Sequence, residues 1–173
     1  EHRVLQSSTA STRELALQED EAAVDECLRF LGEKNDFIVI DTPGGDNNLS
    51  RRAHSYADTL ITPMNDSFID LDVLAKVEPD TLRILRPSRY AEMVWENRKN
   101  RIQRDGGSID WIVARNRLST LDSRNRRAVD EALNALSKRI GFRIAPGFSE
   151  RMIFRELFLK GLTLLDLRDP EAG

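Results

Sequence analysis

The sequence-based prediction of the fold starts from the stretch Asp36-Phe37-Ile38-Val39-Ile40-Asp41-Thr42-Pro43-Gly44-Gly45-Asp46. Four apolar residues run without a polar break and end at an acid, and a Pro-Gly-Gly turn follows at once. A continuous apolar run of this length predicts a strand buried on both faces, as in a parallel sheet. Asp41 would then stand at the carboxyl end of that strand, where ligands bind in open α/β sheets.

The rest of the chain repeats the alternation of strand, turn and helix. Short apolar runs ended by turn residues predict further strands at 58–63, 109–114 and 142–146. The spacing of apolar residues predicts helices at 19–33, 48–56, 67–77, 87–102 and 150–158, and a long helix that Asp122 or Ser123 can cap and that runs to Ile140. Ser67 with Asp70 resembles a capping box for the third of these helices. This βαβ rhythm predicts an α/β fold with a parallel sheet.

Length and composition bound the class of protein. With 173 residues and an apolar share of 40%, a single domain over 1–173 is expected, with poor order at 1–12 and 168–173. No apolar run approaches the roughly 18 residues that span a bilayer, so no membrane contact is expected. The single cysteine, Cys27, excludes an internal disulfide and a multi-cysteine metal site, and a cytoplasmic location is the natural interpretation.

Charge is distributed unevenly along the chain. Residues 1–82 hold 7 basic and 17 acidic side chains, whereas residues 83–160 hold 18 basic and 9 acidic ones. Such an asymmetry suggests a polyanionic partner for the second half, although dispersed charges on a solvated surface explain it equally well.

The acid and the glycines after the first strand point to phosphate chemistry. An acid at the end of a buried strand can hold Mg²⁺ through water, and Gly44 and Gly45 would let backbone N–H groups approach a terminal phosphate. A plain turn with an exposed acid is the alternative. The Gly-x-x-x-x-Gly-Lys-[Ser/Thr] loop that cradles phosphates is absent, so the nucleotide hypothesis requires a cradle encoded upstream of Glu1.

Two further groups of residues are candidates for binding. Asn116 follows one predicted strand and Pro146 ends the next, so both could contact the edge of a nucleobase; loop residues that cap their own backbone are the alternative. Arginine forks suit phosphates, and the arginines around the long helix could form a basic surface for non-specific DNA binding. A solvated helix face explains them as well. The arginines considered for this surface are Arg124, Arg127 and Arg151.

Several stretches taken together resemble the ParA/MinD family of deviant Walker-A ATPases. The stretch 37–46 is similar to the switch II segment of that family. A group of further stretches resembles the members that position the bacterial division plane: 62–70, 111–118, 155–158 and 161–167. A Thr-Pro-Gly turn alone would also fit a GTPase, but the chain lacks an Asn-Lys-x-Asp guanine motif.

The resemblance implies a doubly wound, mostly parallel sheet with helices on both faces, in a P-loop NTPase that binds ATP and Mg²⁺. It implies an ATP-dependent homodimer that binds DNA non-specifically and is associated with the nucleoid. It also implies inhibition of the tubulin-like division protein FtsZ and recruitment by the centromere-binding protein ParB. A non-catalytic α/β interaction module that binds no nucleotide is the alternative.

The family's roles can be placed on matching positions. Asp41 would be the Walker-B-type catalytic acid beside Mg²⁺, and Thr42, Gly44 and Gly45 would lie at the γ-phosphate. Asn116 and Pro146 would lie beside adenine, and Arg124, Arg127 and Arg151 would face DNA. The P-loop and switch I segment of the family are missing, which predicts that the chain is the C-terminal part of such an ATPase and leaves hydrolysis by these residues uncertain.

Overall fold

The computed structural model describes residues 1–65, 67–78, 81, 83–118 and 124–168. The helices in this part are α1 (Arg13–Gly32), α2 (Asn48–Tyr56), α3 (Phe68–Leu74), α4 (Arg89–Asp105), α5 (Arg124–Leu136) and α6 (Met152–Leu159). The strands are β1 (Thr59–Asn65), β2 (Ala75–Val77), β3 (Ile84–Pro87), β4 (Asp110–Asn116) and β5 (Arg143–Ala145). No helix in these residues combines the length and apolar character needed to cross a membrane.

The chain forms two compact units. The first unit contains Glu1–Leu60 and Glu92–Ile109, and the second contains Ile61–Ala91 and Asp110–Gly173. The predicted α/β fold is confirmed, and the predicted strands at 58–63, 109–114 and 142–146 all form.

A three-stranded parallel sheet with the order β1-β4-β5 organises the second unit. β4 and β5 pair in parallel, with Ile112 opposite Arg143 and Ala114 opposite Ala145. β4 lies in the middle and buries Trp111 and Val113 almost completely. Three apolar side chains of α5 are also buried, namely Val129, Leu133 and Leu136. The helix continues through a π-helical turn, Ser137–Gly141; its predicted caps, Asp122 and Ser123, lie outside the described residues.

A buried polar contact fixes β1 against β4. The indole N–H of Trp111 donates to Thr62 Oγ1 at 2.9 Å, and the same oxygen lies 2.7 Å from the hydroxyl of Tyr90. Because buried polar groups are expensive to leave unpaired, this network favours one register of the two strands. β1 continues beyond Pro63 to Asn65, whereas a strand ending at the proline was predicted. Proline is tolerated here because β1 is an edge strand, which need not donate from every residue.

The predicted helix at 67–77 is too long. α3 ends at Leu74, because Ala75–Val77 forms β2 and pairs antiparallel with β3. Ser67 caps the helix as predicted, since its hydroxyl accepts from the N–H of Ile69 at 3.1 Å. The carboxylate of Asp70 does not close a capping box; it accepts from the N–H of Asn65 at 2.6 Å instead.

The first unit contains α1 and α2, and α2 has the bounds that the sequence predicts. Asp25 of α1 receives two hydrogen bonds from Arg52 of α2, at 2.8 and 2.6 Å. The hydrogen bond from Arg52 holds the pKa of Asp25 below its ordinary value.

The prediction of a buried strand at 37–40 is wrong for this structure. No strand forms there, and the side chains of Phe37 and Val39 are 91% and 93% exposed. An apolar run becomes a buried strand only when other strands satisfy its backbone N–H and C=O groups. Within the described residues this segment belongs to neither sheet, so its apolar character alone does not bury it.

Candidate functional site

The predicted phosphate residues lie in the irregular segment between α1 and α2. Asp41, Gly44 and Gly45 are exposed, and Thr42 is half-buried. A Cβ atom added to either glycine would meet no atom within 4 Å, so their present surroundings do not require glycine. A need for close backbone approach to a ligand remains a proposal for these two positions.

α2 holds the end of this segment in place. The side chain of Asn47 accepts from the N–H of Ser50 at 2.8 Å and caps the helix, while Arg51 makes two 2.6 Å hydrogen bonds to Asp46. Nε2 of His54 lies 3.4 Å from Oγ1 of Thr42. Burial lowers the pKa of His54, so the imidazole is neutral at physiological pH.

Asp41 fits one kind of metal site and not another. Among the described residues, no group of three or more His, Cys, Asp or Glu side chains could hold a metal ion. An all-protein cage for Ca²⁺ or Zn²⁺ therefore does not fit this part of the chain. A single exposed carboxylate does fit Mg²⁺, which usually keeps several waters and takes its other ligands from substrate phosphates.

The carboxyl ends of β4 and β5 carry the second group of predicted residues. Beyond the regular ladder, Leu118 pairs in parallel with Ser149 in the same register. The N–H of Phe148 donates to the carbonyl of Arg115 at 2.9 Å, and the N–H of Leu118 donates to the carbonyl of Phe148 at 3.0 Å. The two loops after these strands are thus fixed against each other.

Gly147 is the residue that allows this close approach. Its φ is +82°, and a Cβ at this position would lie 2.1 Å from the carbonyl oxygen of Arg115. Both the backbone conformation and the space exclude any other residue without a shift of the loop. Pro146, exposed and directly before this glycine, therefore lies where the post-β5 loop meets the end of β4.

Asn116 lies at the end of β4, and one atom of its side-chain amide is already hydrogen-bonded. Its Oδ1 accepts from the N–H of Arg117 at 2.9 Å, and Arg117 adopts a φ of +51°. With the oxygen engaged in this way, the NH₂ group of the exposed Asn116 amide is the part that can donate to a ligand.

A cavity of about 590 Å³ opens beside Asn116. Its walls combine aromatic rings with guanidinium groups. The rings of Phe148 and Phe154 pack edge to face, with their centroids 6.4 Å apart. One of the cationic groups, Arg155, is paired with Glu150 at 2.7 Å. A pocket with this lining suits a flat aromatic ring that is linked to negatively charged groups. Beyond these, the lining includes Arg117, Arg151 and Phe158.

The three arginines predicted to face DNA have different positions. Arg127 is exposed on α5, and Arg151 is exposed at the start of α6, where it lines the cavity next to Asn116. The side chain of Arg124 lies outside the described residues. The structure thus places Arg151 in the same cavity lining as Asn116, a neighbourhood that sequence spacing did not indicate.

Asn116, Pro146, Arg127 and Arg151 belong to the second unit, whereas Asp41 and its neighbours belong to the first. Sequence reasoning missed Arg115, whose buried side chain pairs with Asp130 of α5. The available signal was that Arg115 stands two residues after Val113, at a position that faces inward in a strand. Because Arg117 occurs in the same alternation, the sequence did not single out Arg115.

Comparison with solved structures supports the fold. The chain is similar to a structure of apo McdA from Cyanthece, with a TM-score of 0.60 and 20% sequence identity over 90% of this chain. It spans 57% of the length of that chain, and the architecture matches a ParA-like P-loop NTPase fold. No curated protein matches the sequence.

A match to a protein-family model covers nearly the whole chain. Residues 1–172 match the model described as ATPase MipZ, which includes both the Asp41 segment and the loops around Asn116. The chain therefore belongs to the MipZ family of ATPases.

Proposed function

We propose that this protein acts as an ATP-dependent dimerisation switch that positions the bacterial division plane. In this proposal the ATP-bound dimer inhibits FtsZ assembly and binds DNA non-specifically on the nucleoid, and ParB recruits the monomer. The match to the MipZ family over residues 1–172 is the observation that carries the proposal. Family membership supports the class of activity, and the partners follow from the resemblance of the motifs.

The phosphates of ATP would be held by the Asp41 segment. Asp41 would hold Mg²⁺ through water, and Thr42 with Gly44 and Gly45 would contact the terminal phosphate. When bound, Mg²⁺ supplies neutralisation of phosphate charge. The exposed carboxylate and the open surroundings of the two glycines are compatible with these roles.

Adenine would lie beside Asn116 and Pro146. The amide NH₂ of Asn116 can donate to N1 of adenine, which is an acceptor, whereas guanine carries a hydrogen at N1. The adjoining cavity of about 590 Å³ is large enough for a base, and the ring of Phe148 offers an apolar surface. These features support adenine over guanine, in agreement with the absence of a guanine motif.

The nucleotide proposal is tested by binding of ATP and Mg²⁺ to the full-length gene product. Asp41→Ala should weaken Mg²⁺-dependent ATP binding and turnover at least about tenfold, the factor expected when the carboxylate can no longer hold the hydrated metal ion. Asp36→Ala is the matched control, because Asp36 is an exposed acid five residues upstream in the same segment. Absence of ATP binding by the unmodified protein would instead favour a non-catalytic interaction module.

The DNA proposal is tested by a salt series. Changing Arg124 and Arg127 to Glu should weaken binding to random-sequence DNA and reduce the slope of log K against log salt by about 1 for each phosphate that an arginine no longer neutralises. Arg13→Glu is the control, since Arg13 is exposed like Arg127 but begins α1 in the acidic half of the chain. Identical slopes in all three proteins would mean that α5 presents only a solvated face.

A further inference from the structure

We propose that Arg115 is a positioning residue for nucleobase recognition: its ion pair with Asp130 fixes the direction in which Asn116 presents its amide. The inference rests on the proposed adenine site at Asn116 and names a residue that acts on that site without touching the base. It also gives a reason for a buried charged side chain at the end of β4.

The ion pair anchors the end of β4 to α5. The guanidinium of Arg115 contacts the carboxylate of Asp130, and the Arg115 side chain is only 9% exposed. A buried arginine costs more desolvation energy than an apolar side chain of the same volume, so burial alone does not favour it. What the pair supplies is a charge-assisted hydrogen bond from the guanidinium to the carboxylate, which an apolar side chain cannot make.

The backbone of Arg115 is held from a second direction. Its carbonyl accepts from Phe148, and Gly147 packs against the same oxygen more closely than any Cβ would permit. Arg115 is therefore tied to α5 through its side chain and to the post-β5 loop through its main chain. A residue fixed at both ends cannot rotate about the strand axis.

That rotation decides where Asn116 points. Successive side chains of a strand face opposite sides, so an inward Arg115 sets Asn116 outward, as observed. Among the described residues, the side chain of Asn116 makes a local hydrogen bond, in which Oδ1 accepts from the N–H of Arg117. Its NH₂ group has no anchor of its own in the described residues, and its direction follows from the backbone that Arg115 holds.

The test is the preference for ATP over GTP, measured as the ratio of the two dissociation constants by calorimetry on the full-length gene product. Loss of folded protein would weaken the binding of ATP and GTP equally and leave the ratio of their dissociation constants unchanged. A change in the direction of the Asn116 amide would alter that ratio. Arg115→Met should lower the ATP preference about tenfold, the factor for one displaced hydrogen bond. Asp130→Asn should lower it in the same direction and serves as the second variant if Arg115→Met does not fold.

Arg143→Met is the matched control. Arg143 pairs with Asp110 across the same two strands at their opposite, amino-terminal ends, with Nε 2.9 Å from Oδ1. This variant should keep the ATP preference of the unmodified protein. A double Arg115→Met and Asp130→Asn variant should reduce the preference by less than the two single changes combined, because both substitutions remove the ion pair between Arg115 and Asp130.

The outcomes separate this inference from the proposed function. If the unmodified protein binds neither nucleotide, the adenine site and the positioning role fall together. If it prefers ATP and the preference survives both Arg115→Met and Asp130→Asn, only the positioning role is overturned. A fall in preference that Arg143→Met reproduces would show a general effect of sheet stability and would also overturn it.

Discussion

Two stretches of this chain share one sequence pattern and adopt opposite structures. Residues 37–40 and residues 111–114 are both apolar runs that end at polar residues. In the first, Phe37 and Val39 are almost fully exposed and no strand forms; in the second, Trp111 and Val113 are 1% and 0% exposed. The difference lies in the neighbours, because β4 runs between β1 and β5. An apolar run indicates that a segment can form a buried strand, but the strand forms only where neighbouring strands can pair with it.

The glycines in the turn after residues 37–40 and in the loop after β5 differ in the same way. Gly44 and Gly45 have open space around them, whereas Gly147 fills the gap between the post-β5 loop and the carbonyl of Arg115. A glycine motif in a sequence therefore has two meanings. It can mark a position where packing within the protein leaves no room for a side chain, as at Gly147. It can also mark a position where a side chain would collide only with a bound ligand, as proposed for Gly44 and Gly45.

The largest expected effect is that of Gly147→Ala. Alanine at a φ of +82° is strained by about 1–2 kcal/mol, and the collision of its Cβ with the Arg115 carbonyl adds a cost of overpacking. We expect the free energy of unfolding of this chain to fall by about 3 kcal/mol, measured by urea denaturation.

Gly45→Ala is the matched control for this comparison. With no atom within 4 Å of the new Cβ, the change should leave the free energy of unfolding within about 1 kcal/mol of the parent value, on the stabilising side. A decrease at position 45 as large as that at position 147 would show that the Asp41 turn is packed after all, and the contrast between the two turns would disappear.

A second pair of substitutions tests the difference in burial between β4 and residues 37–40. Val113→Ala removes two methyl groups from a fully buried position and should lower the free energy of unfolding by about 2 kcal/mol. Val39→Ala makes the same chemical change at a position that is 93% exposed, and the expected decrease is below about 0.5 kcal/mol. Equal decreases, measured by urea denaturation, would mean that residues 37–40 are buried in solution.

Local rules predicted much of the fold because its elements depend on nearby residues. The apolar stripe of α5, the short α2 and the hydroxyl cap at Ser67 each follow from spacing or from one side chain. The end of α3 could not be predicted in this way. Nothing in the sequence of Ala75–Val77 announces its antiparallel pairing with β3, and that pairing overrides the helical periodicity.

The site divides along the same line. Asn116 and Pro146 were identified because polar and turn residues at strand ends are visible in a sequence. The ion pair of Arg115 with Asp130 joins residues fifteen positions apart on a strand and a helix, so only the packing of α5 on the sheet reveals it. Arg151 was assigned to DNA from its charge and from the family resemblance, whereas its place beside Asn116 in the lining of one cavity is seen only in the folded chain.

The smallest expected effect concerns the hydrogen bond that ties the exposed Asp41 segment to α2. Burial lowers the pKa of His54 below its ordinary value of 6.5, so just below pH 6.5 the unfolded chain binds a proton that the folded chain does not. The free energy of unfolding should therefore fall as the pH drops through 6.5 and level off below the folded pKa. His54→Gln should flatten this part of a urea-denaturation profile, while His2→Gln, at an exposed terminal histidine, should not. A His54→Gln profile parallel to that of the parent would mean that the imidazole is solvated in the folded chain and is not buried beside Thr42.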